Sequence, residues 1–105
     1  MYNNDAKVEK NMDKDLKYFI KDKYSIIKIM IENEVKLKGK MVVPLTQDDL
    51  AELTGFSKAK VNDAVRDFID KGYINFVSSG IYTVSALSKK IYDYLEASPN
   101  KWTSK

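Results

Sequence analysis

Ala51, Gly55 and Val61 stand at steps of four and six within QDDLAELTGFSKAKVNDAV, and no other feature of the chain constrains its fold so tightly. Ala51 is small enough for a second helix to cross close above it. Gly55 supplies the positive φ that turns the chain, and Val61 plugs the space between the two helices. The flanking residues agree with this reading. Thr46 followed by Asp49 predicts a helix N-cap with an acid in the first turn, and Leu50, Ala51 and Leu53 give the apolar face of a short helix that stops at Gly55. Beyond Phe56, Ser57 caps a second helix over 57–69, in which Val61, Ala64, Val65 and Phe68 recur at three- and four-residue steps. Gly72 sits where a left-handed C-terminal cap belongs.

The rest of the chain is arranged around this pair. From Asp15 the apolar residues Leu16, Phe19, Ile20, Ile27, Met30 and Ile31 fall at helical spacing and predict an amphipathic helix to about Glu34. The spacing fits both a helix that runs through Asp22-Lys23 and one that breaks there. Residues 36–40, with Gly39, read as a loop, and 41–45 as a short β-branched run that Pro44 confines to an edge or a strand end. Residues 73–77 and 81–84 are β-prone runs around Ser78-Ser79-Gly80, a short hairpin, after which Ser85 caps a last helix to about Glu96. The expected order is helix, strand, helix, turn, helix, hairpin, helix. That is a mainly α domain with a small β-hairpin wing, a winged helix-turn-helix. A chain of 105 residues accommodates one such domain, over 15–97, with a polar N-terminal arm over 1–14 and a tail over 98–105.

Composition narrows the chemistry. Histidine and cysteine are both absent, which removes the usual general base at neutral pH, thiol nucleophiles, and nitrogen or sulfur ligands for zinc. No glycine-rich phosphate loop occurs, and the acids are scattered beside lysines, so the expectation is a non-enzyme without metal or cofactor. No stretch approaches the roughly 18 consecutive apolar residues that cross a bilayer, and no apolar run follows the first charges as in a secretory signal. A cytoplasmic location is the corresponding expectation. The net charge of +3 is uneven: residues 1–45 carry ten lysines against seven acids, whereas 46–96 carry six basic against eight acidic groups. A nucleic-acid reading therefore rests on the positions of individual cations and not on bulk charge.

The stretch LTQDDLAELTGFSKAKVNDAVRDFIDKGYI closely resembles bacterial winged helix-turn-helix regulators of the MarR-like type. Their motif commonly runs T-x-x-x-L-A-x-x-x-G-x-S-x-x-x-V and ends in K-G-[LY]-I. Thr46, Leu50, Ala51, Gly55, Ser57, Val61, Lys71, Gly72, Tyr73 and Ile74 match, and with hairpin and last helix the resemblance covers 46–96, about half the chain. It implies a sequence-specific transcriptional regulator that lays helix 57–69 into the major groove of double-stranded DNA. A plasmid- or phage-type replication or partition factor uses the same domain. A third reading, a winged-helix protein-interaction module, keeps the fold without the DNA.

Given that fold, a helix turning about 100° per residue points Ala59, Asn62, Asp63 and Arg66 outward when Val61, Ala64, Val65 and Phe68 face inward. Lys58 and Lys60 flank that face at the positive helix terminus, where they suit phosphate oxygens, and Gln47 and Ser57 open the two helices. Asn62 suits an adenine edge and Arg66 a guanine. Arg66 is the only arginine among seventeen lysines. Its fork serves base or phosphate recognition, or simply an exposed helical pair with Asp70 or Asp63. Asp63 opposes the scheme, since a carboxylate on this face repels the DNA backbone. No charge occurs between Asn75 and Ser88, so the wing offers only Ser78 and Ser79 to a phosphate. The lysines of the arm and first helix, Lys7, Lys10, Lys14, Lys17, Lys21 and Lys23, are either a further source of binding energy or a solvated face.

One recognition helix reads few base pairs, so the expected assembly is a two-fold homodimer on half-sites a helical turn apart. Leu16, Phe19, Tyr92 and Trp102, off the main apolar stripes or near the domain's ends, are the candidate dimer contacts, whereas the stripes themselves complete the core. The absence of a ligand domain from these residues leaves no effector pocket evident.

Overall fold

The computed structural model describes residues 14–97. The arm lysines Lys7 and Lys10, the tail and the dimer candidate Trp102 lie outside the described residues. A short helical segment over 14–18 leads into α1 (Asp22–Glu32), followed by β1 (Val35–Leu37), β2 (Lys40–Val42), α2 (Gln47–Thr54), α3 (Lys58–Lys71), β3 (Ile74–Ser78), β4 (Ile81–Val84) and α4 (Ala86–Ala97).

Local chemistry explains the central helices. Thr46 Oγ1 accepts from the Asp49 amide at 3.0 Å while Asp49 Oδ2 accepts from the Thr46 amide at 2.9 Å, a reciprocal capping box that satisfies two amides at the start of α2. Gly55, at φ 82°, ends α2 and donates its N–H to Ala51 O at 2.8 Å. Ser57 Oγ accepts from the Lys60 amide at 3.1 Å and starts α3, which Gly72 ends, also at φ 82°. Between these stops α3 buries Val61, Ala64, Val65 and Phe68 against Leu50 of α2 and Ile26, Ile27 and Met30 of α1, all within one apolar core. The predicted stripe is the buried one.

The wing is the antiparallel pair β3–β4, with Ile74 opposite Val84 and Phe76 opposite Tyr82, and its register slips between Phe76 and Ser78. Val43 and Tyr82 exchange backbone hydrogen bonds of 2.7 and 3.0 Å, which fasten the chain just after β2 to the wing. This edge position is the one that Pro44 permits. At the base of the wing, Ser85 Oγ accepts from the Ser88 amide, and Ser88 Oγ donates to Tyr73 O at 2.9 Å, tying the start of α4 to the end of α3.

One open reading is resolved and one expectation is corrected. The first helix is broken, and the break falls at Lys21, which adopts φ 61° and ψ −117°. Through it Phe19 enters the core at 1% exposure and Ile20, which a straight helix would bury, is left outside. The compensation is aromatic: Phe19 lies 4.6 Å from Tyr73 and 5.5 Å from Phe68 between ring centroids, and Tyr18 stacks on Tyr73 at 5.1 Å. The expected loop over 36–40 is instead part of a second hairpin, β1–β2, turning through Lys38 (φ 51°) and Gly39 (φ 82°). Val35 and Leu37 are exposed, so β1 carries no burial signal for sequence to report, whereas β2 buries Val42.

Tyrosine–carboxylate hydrogen bonds hold the outer helices in place. Tyr18 donates to Asp67, Tyr73 to Asp15, Tyr24 to Glu96 at 2.6 Å and Tyr92 to Glu32 at 2.8 Å. Burial, and then the carboxylate bond, push the hydroxyls of Tyr18, Tyr24 and Tyr73 well above the usual tyrosine range, while the bond to Glu32 lifts Tyr92 to about 12. Asp67 and Glu96 are held below the usual carboxylate range chiefly by the tyrosine hydroxyls they accept from. The lowered acids favour folding above the ordinary carboxylate pKa, and that contribution is lost as pH falls through their folded values. The raised tyrosines favour folding below about pH 10, and their contribution is lost as pH rises from there. Urea midpoints are therefore expected to be flat between about pH 5 and pH 9 and to fall on both sides, the alkaline fall tracking tyrosinate absorbance.

Candidate nucleic-acid interface

The outward face of α3 presents Lys58, Ala59, Lys60, Asn62, Asp63 and Arg66, all exposed, as the helical wheel predicts. Tertiary packing then divides them between the two flanks of the helix. Lys58, Ala59 and Asn62 share a shallow depression with Gln47 and Asp48 at the start of α2. Lys60, Asp63 and Arg66 line the opposite side, a wider groove walled by Tyr18, Ile20 and residues 21–23.

The lysines at the start of α3 are not free cations. Lys58 Nζ lies 3.0 Å from Asp48 Oδ1, with both side chains at least 70% exposed. Lys60 pairs with Asp22, and its ammonium sits 4.6 Å from the centre of the Phe56 ring. Exposed pairs of this kind are worth no more than about 1 kcal/mol each, so they are easily exchanged for phosphate oxygens. Arg66 takes no part in any ion pair among the described residues, and the helical pair with Asp70 or Asp63 does not form. The acid that does pair along this helix is Asp67, with Lys71 at 3.2 Å. Ser57 remains exposed, but its oxygen is engaged by the Lys60 amide.

The wing stands beside the first depression. Thr46, Gln47, Asp48, Phe76, Ser79, Gly80 and Tyr82 line an adjoining hollow, and Gln47 Nε2 donates to the Tyr82 hydroxyl at 3.4 Å. A Cβ on Gly80 would come within 3.3 Å of Thr46 Cγ2, so the wing tip packs directly on the cap of α2. Gln47, Lys58, Asn62 and Ser79 are thereby brought to one continuous front, with exposed Ser78 at the neighbouring strand end, whereas Lys60 and Arg66 face the other flank. Three residues absent from the sequence expectation belong to these surfaces: Asp22 and Asp48, which hold the lysines, and Phe76. Only the apolar, uncharged run of the wing hints at Phe76 in advance.

The dimer candidates change as well. Phe19 has no surface for a partner, because the break at Lys21 turns it into the aromatic cluster. Leu16 and Tyr92 are half-buried against the core, with the Tyr92 hydroxyl committed to Glu32. No described helix is long and apolar enough to cross a membrane, and no group of three or more acids among the described residues is placed to hold a metal.

Residues 44–75 match the family model of winged helix-turn-helix DNA-binding domains. Among solved structures, the chain is similar to the reduced, Fe(II) CO-sensing protein from R. rubrum, at 24% identity and a TM-score of 0.61, over 71% of this chain and 38% of that one. It is also similar to a transcriptional regulator of the CRP/FNR family from Thermus thermophilus, at 21% identity and a TM-score of 0.59, over 78% of this chain and 44% of that one. The chain spans less than half the length of either. No curated protein matches it. The fold is a winged helix-turn-helix, and α2, Gly55 and α3 are its helix-turn-helix.

Proposed function

We propose that the chain is a sequence-specific transcriptional regulator that places α3 in the major groove of double-stranded DNA. The observation that carries this reading is the open front of α3, with Lys58, Ala59, Asn62 and Gln47 presented by a helix-turn-helix within the matched residues 44–75. Asn62 is suited to an adenine edge, Lys58 to a phosphate beside the helix terminus, and Ser78 and Ser79 to the flanking backbone. Lys60 and Arg66 reach a phosphate or a guanine on the far flank of the helix. The motif residues Thr46, Gly55, Ser57 and Gly72 support a MarR-like member of this class, acting in the cytoplasm, where such a regulator meets its DNA. Two copies on half-sites about 34 Å apart are the matching assembly, with Leu16 and Tyr92 at the margins of the core.

A gel-shift titration against duplexes from the protein's own genomic neighbourhood tests this. Affinity is expected to fall steeply between about 50 and 200 mM salt as phosphate contacts exchange with ions, and absent or salt-insensitive binding overturns the proposal. Asp22→Asn and Asp48→Asn remove the acids that compete with phosphate for Lys60 and Lys58, so each is expected to raise affinity a few-fold. The internal pairing of both lysines is also what favours the second reading, a protein-interaction module, for which neither substitution changes DNA binding.

A further inference from the structure

The wing carries no charge between Asn75 and Ser88, yet it is not inert. Phe76 is 57% exposed, and its ring stands edge-on to Tyr82 with 5.9 Å between centroids. Tyr82 itself is buried, bridged to Val43 through the backbone and held at its hydroxyl by Gln47. The inner side of the Phe76 ring is thus backed by a fixed support, and the outer side is bare. Its place is as informative as its exposure. Phe76 lines the hollow with Gln47 and Asp48, and those two residues line the adjoining depression with Lys58, Ala59 and Asn62. The ring therefore continues the front of α3 onto the wing. Val77, its neighbour along β3 and about as exposed, sits at the register slip between Phe76 and Ser78 and does not line that hollow.

A duplex whose major groove holds α3 presents the wing with one phosphate strand and the minor groove beyond it. A wing without cations draws little from phosphates, whereas an exposed, backed aromatic ring matches the apolar edge of a sugar and base pair opened from the stack. We propose that Phe76 is a wedge: it enters the minor groove beside the α3 site and favours DNA that kinks there, so the wing reads deformability in place of charge. This rests on the DNA-binding reading above. Steps that unstack readily, TA and CA/TG, are the sequences it selects.

The test uses the full chain and two fluorescent duplexes that differ at one base, one intact and one with a single mismatched pair that removes most of the cost of kinking. The wild-type protein is expected to prefer the mismatched duplex by roughly tenfold, and 2-aminopurine beside the mismatch to brighten on binding as its neighbour unstacks. Phe76→Ala loses both the preference and the brightening, and its affinity for the mismatched duplex falls further than its affinity for the intact one, because a wedge acts on the deformed state. Phe76→Leu retains much of the preference, and Val77→Ala all of it. A wild-type protein indifferent to the mismatch, or a Phe76→Ala variant that keeps the preference, overturns the wedge and leaves the DNA-binding reading standing. Failure of the wild type to bind either duplex down to about 50 mM salt overturns that reading and the wedge with it.

Discussion

Replacing Lys58, Lys60 and Arg66 together with alanine is expected to lower affinity for duplex DNA on the order of a hundredfold near 0.15 M salt. The salt slope should become shallower by about 2.7. Each cation that releases a counterion contributes about 0.9 to that slope, and three of them give this loss at near-physiological salt. All three side chains are exposed on α3, and among the described residues their polar and ring contacts are the surface pairs to Asp48 and Asp22 and the contact of Lys60 with Phe56. The variant should therefore keep its helical circular dichroism and melt close to the wild type. Gel shifts at several salt concentrations check the expectation. Unchanged affinity would move the binding surface away from α3 and favour a protein partner for this face.

The second large effect lies two residues further along the same helix. Phe68 is fully buried against Phe19 and within reach of Tyr18. Phe68→Ala removes the ring on which the segment over 14–20 is seated, at an expected cost of about 3–5 kcal/mol. A domain of this size has roughly 5–15 kcal/mol of total stability, so the variant should lose a large share of it and its urea midpoint should fall steeply. Arg66→Ala, on the exposed side, should shift stability by less than about 0.5 kcal/mol. Urea titrations of the two variants compare them directly. Equal destabilisation would contradict the assignment of inner and outer faces to α3.

The elements that sequence reports correctly are those settled within a few residues. The capping box needs Thr46 and Asp49 three apart, Gly55 and Gly72 need only their own freedom to adopt positive φ, and the stripe Val61, Ala64, Val65, Phe68 follows from helical geometry. The broken first helix is different in kind. Leu16, Phe19, Ile20, Ile27 and Met30 fit one straight amphipathic helix, and only the aromatic seat formed by Phe68 and Tyr73, about fifty residues away, makes the turn at Lys21 favourable. Strand β1, and with it the pairing to the β run begun at β2, escapes notice because its lysine and exposed apolar residues resemble a loop in composition.

The candidate site divides along the same line. Which residues of α3 face outward is dictated by sequence alone, since a helix that buries Val61 and Val65 has no other way to orient Asn62 and Arg66. What those residues meet is decided by packing: Asp48 comes to Lys58 from α2, Asp22 comes to Lys60 from the start of α1, and Phe76 arrives from the wing through the Val43–Tyr82 bridge. Caps, turns and helix faces depend on groups a few residues apart and are written in the local order of the chain. The pairing of Asp22 with Lys60 and the join between α3 and the wing depend on segments twenty or more residues apart, whereas Asp48 reaches Lys58 through the Gly55 turn. Such contacts exist only once the core has closed.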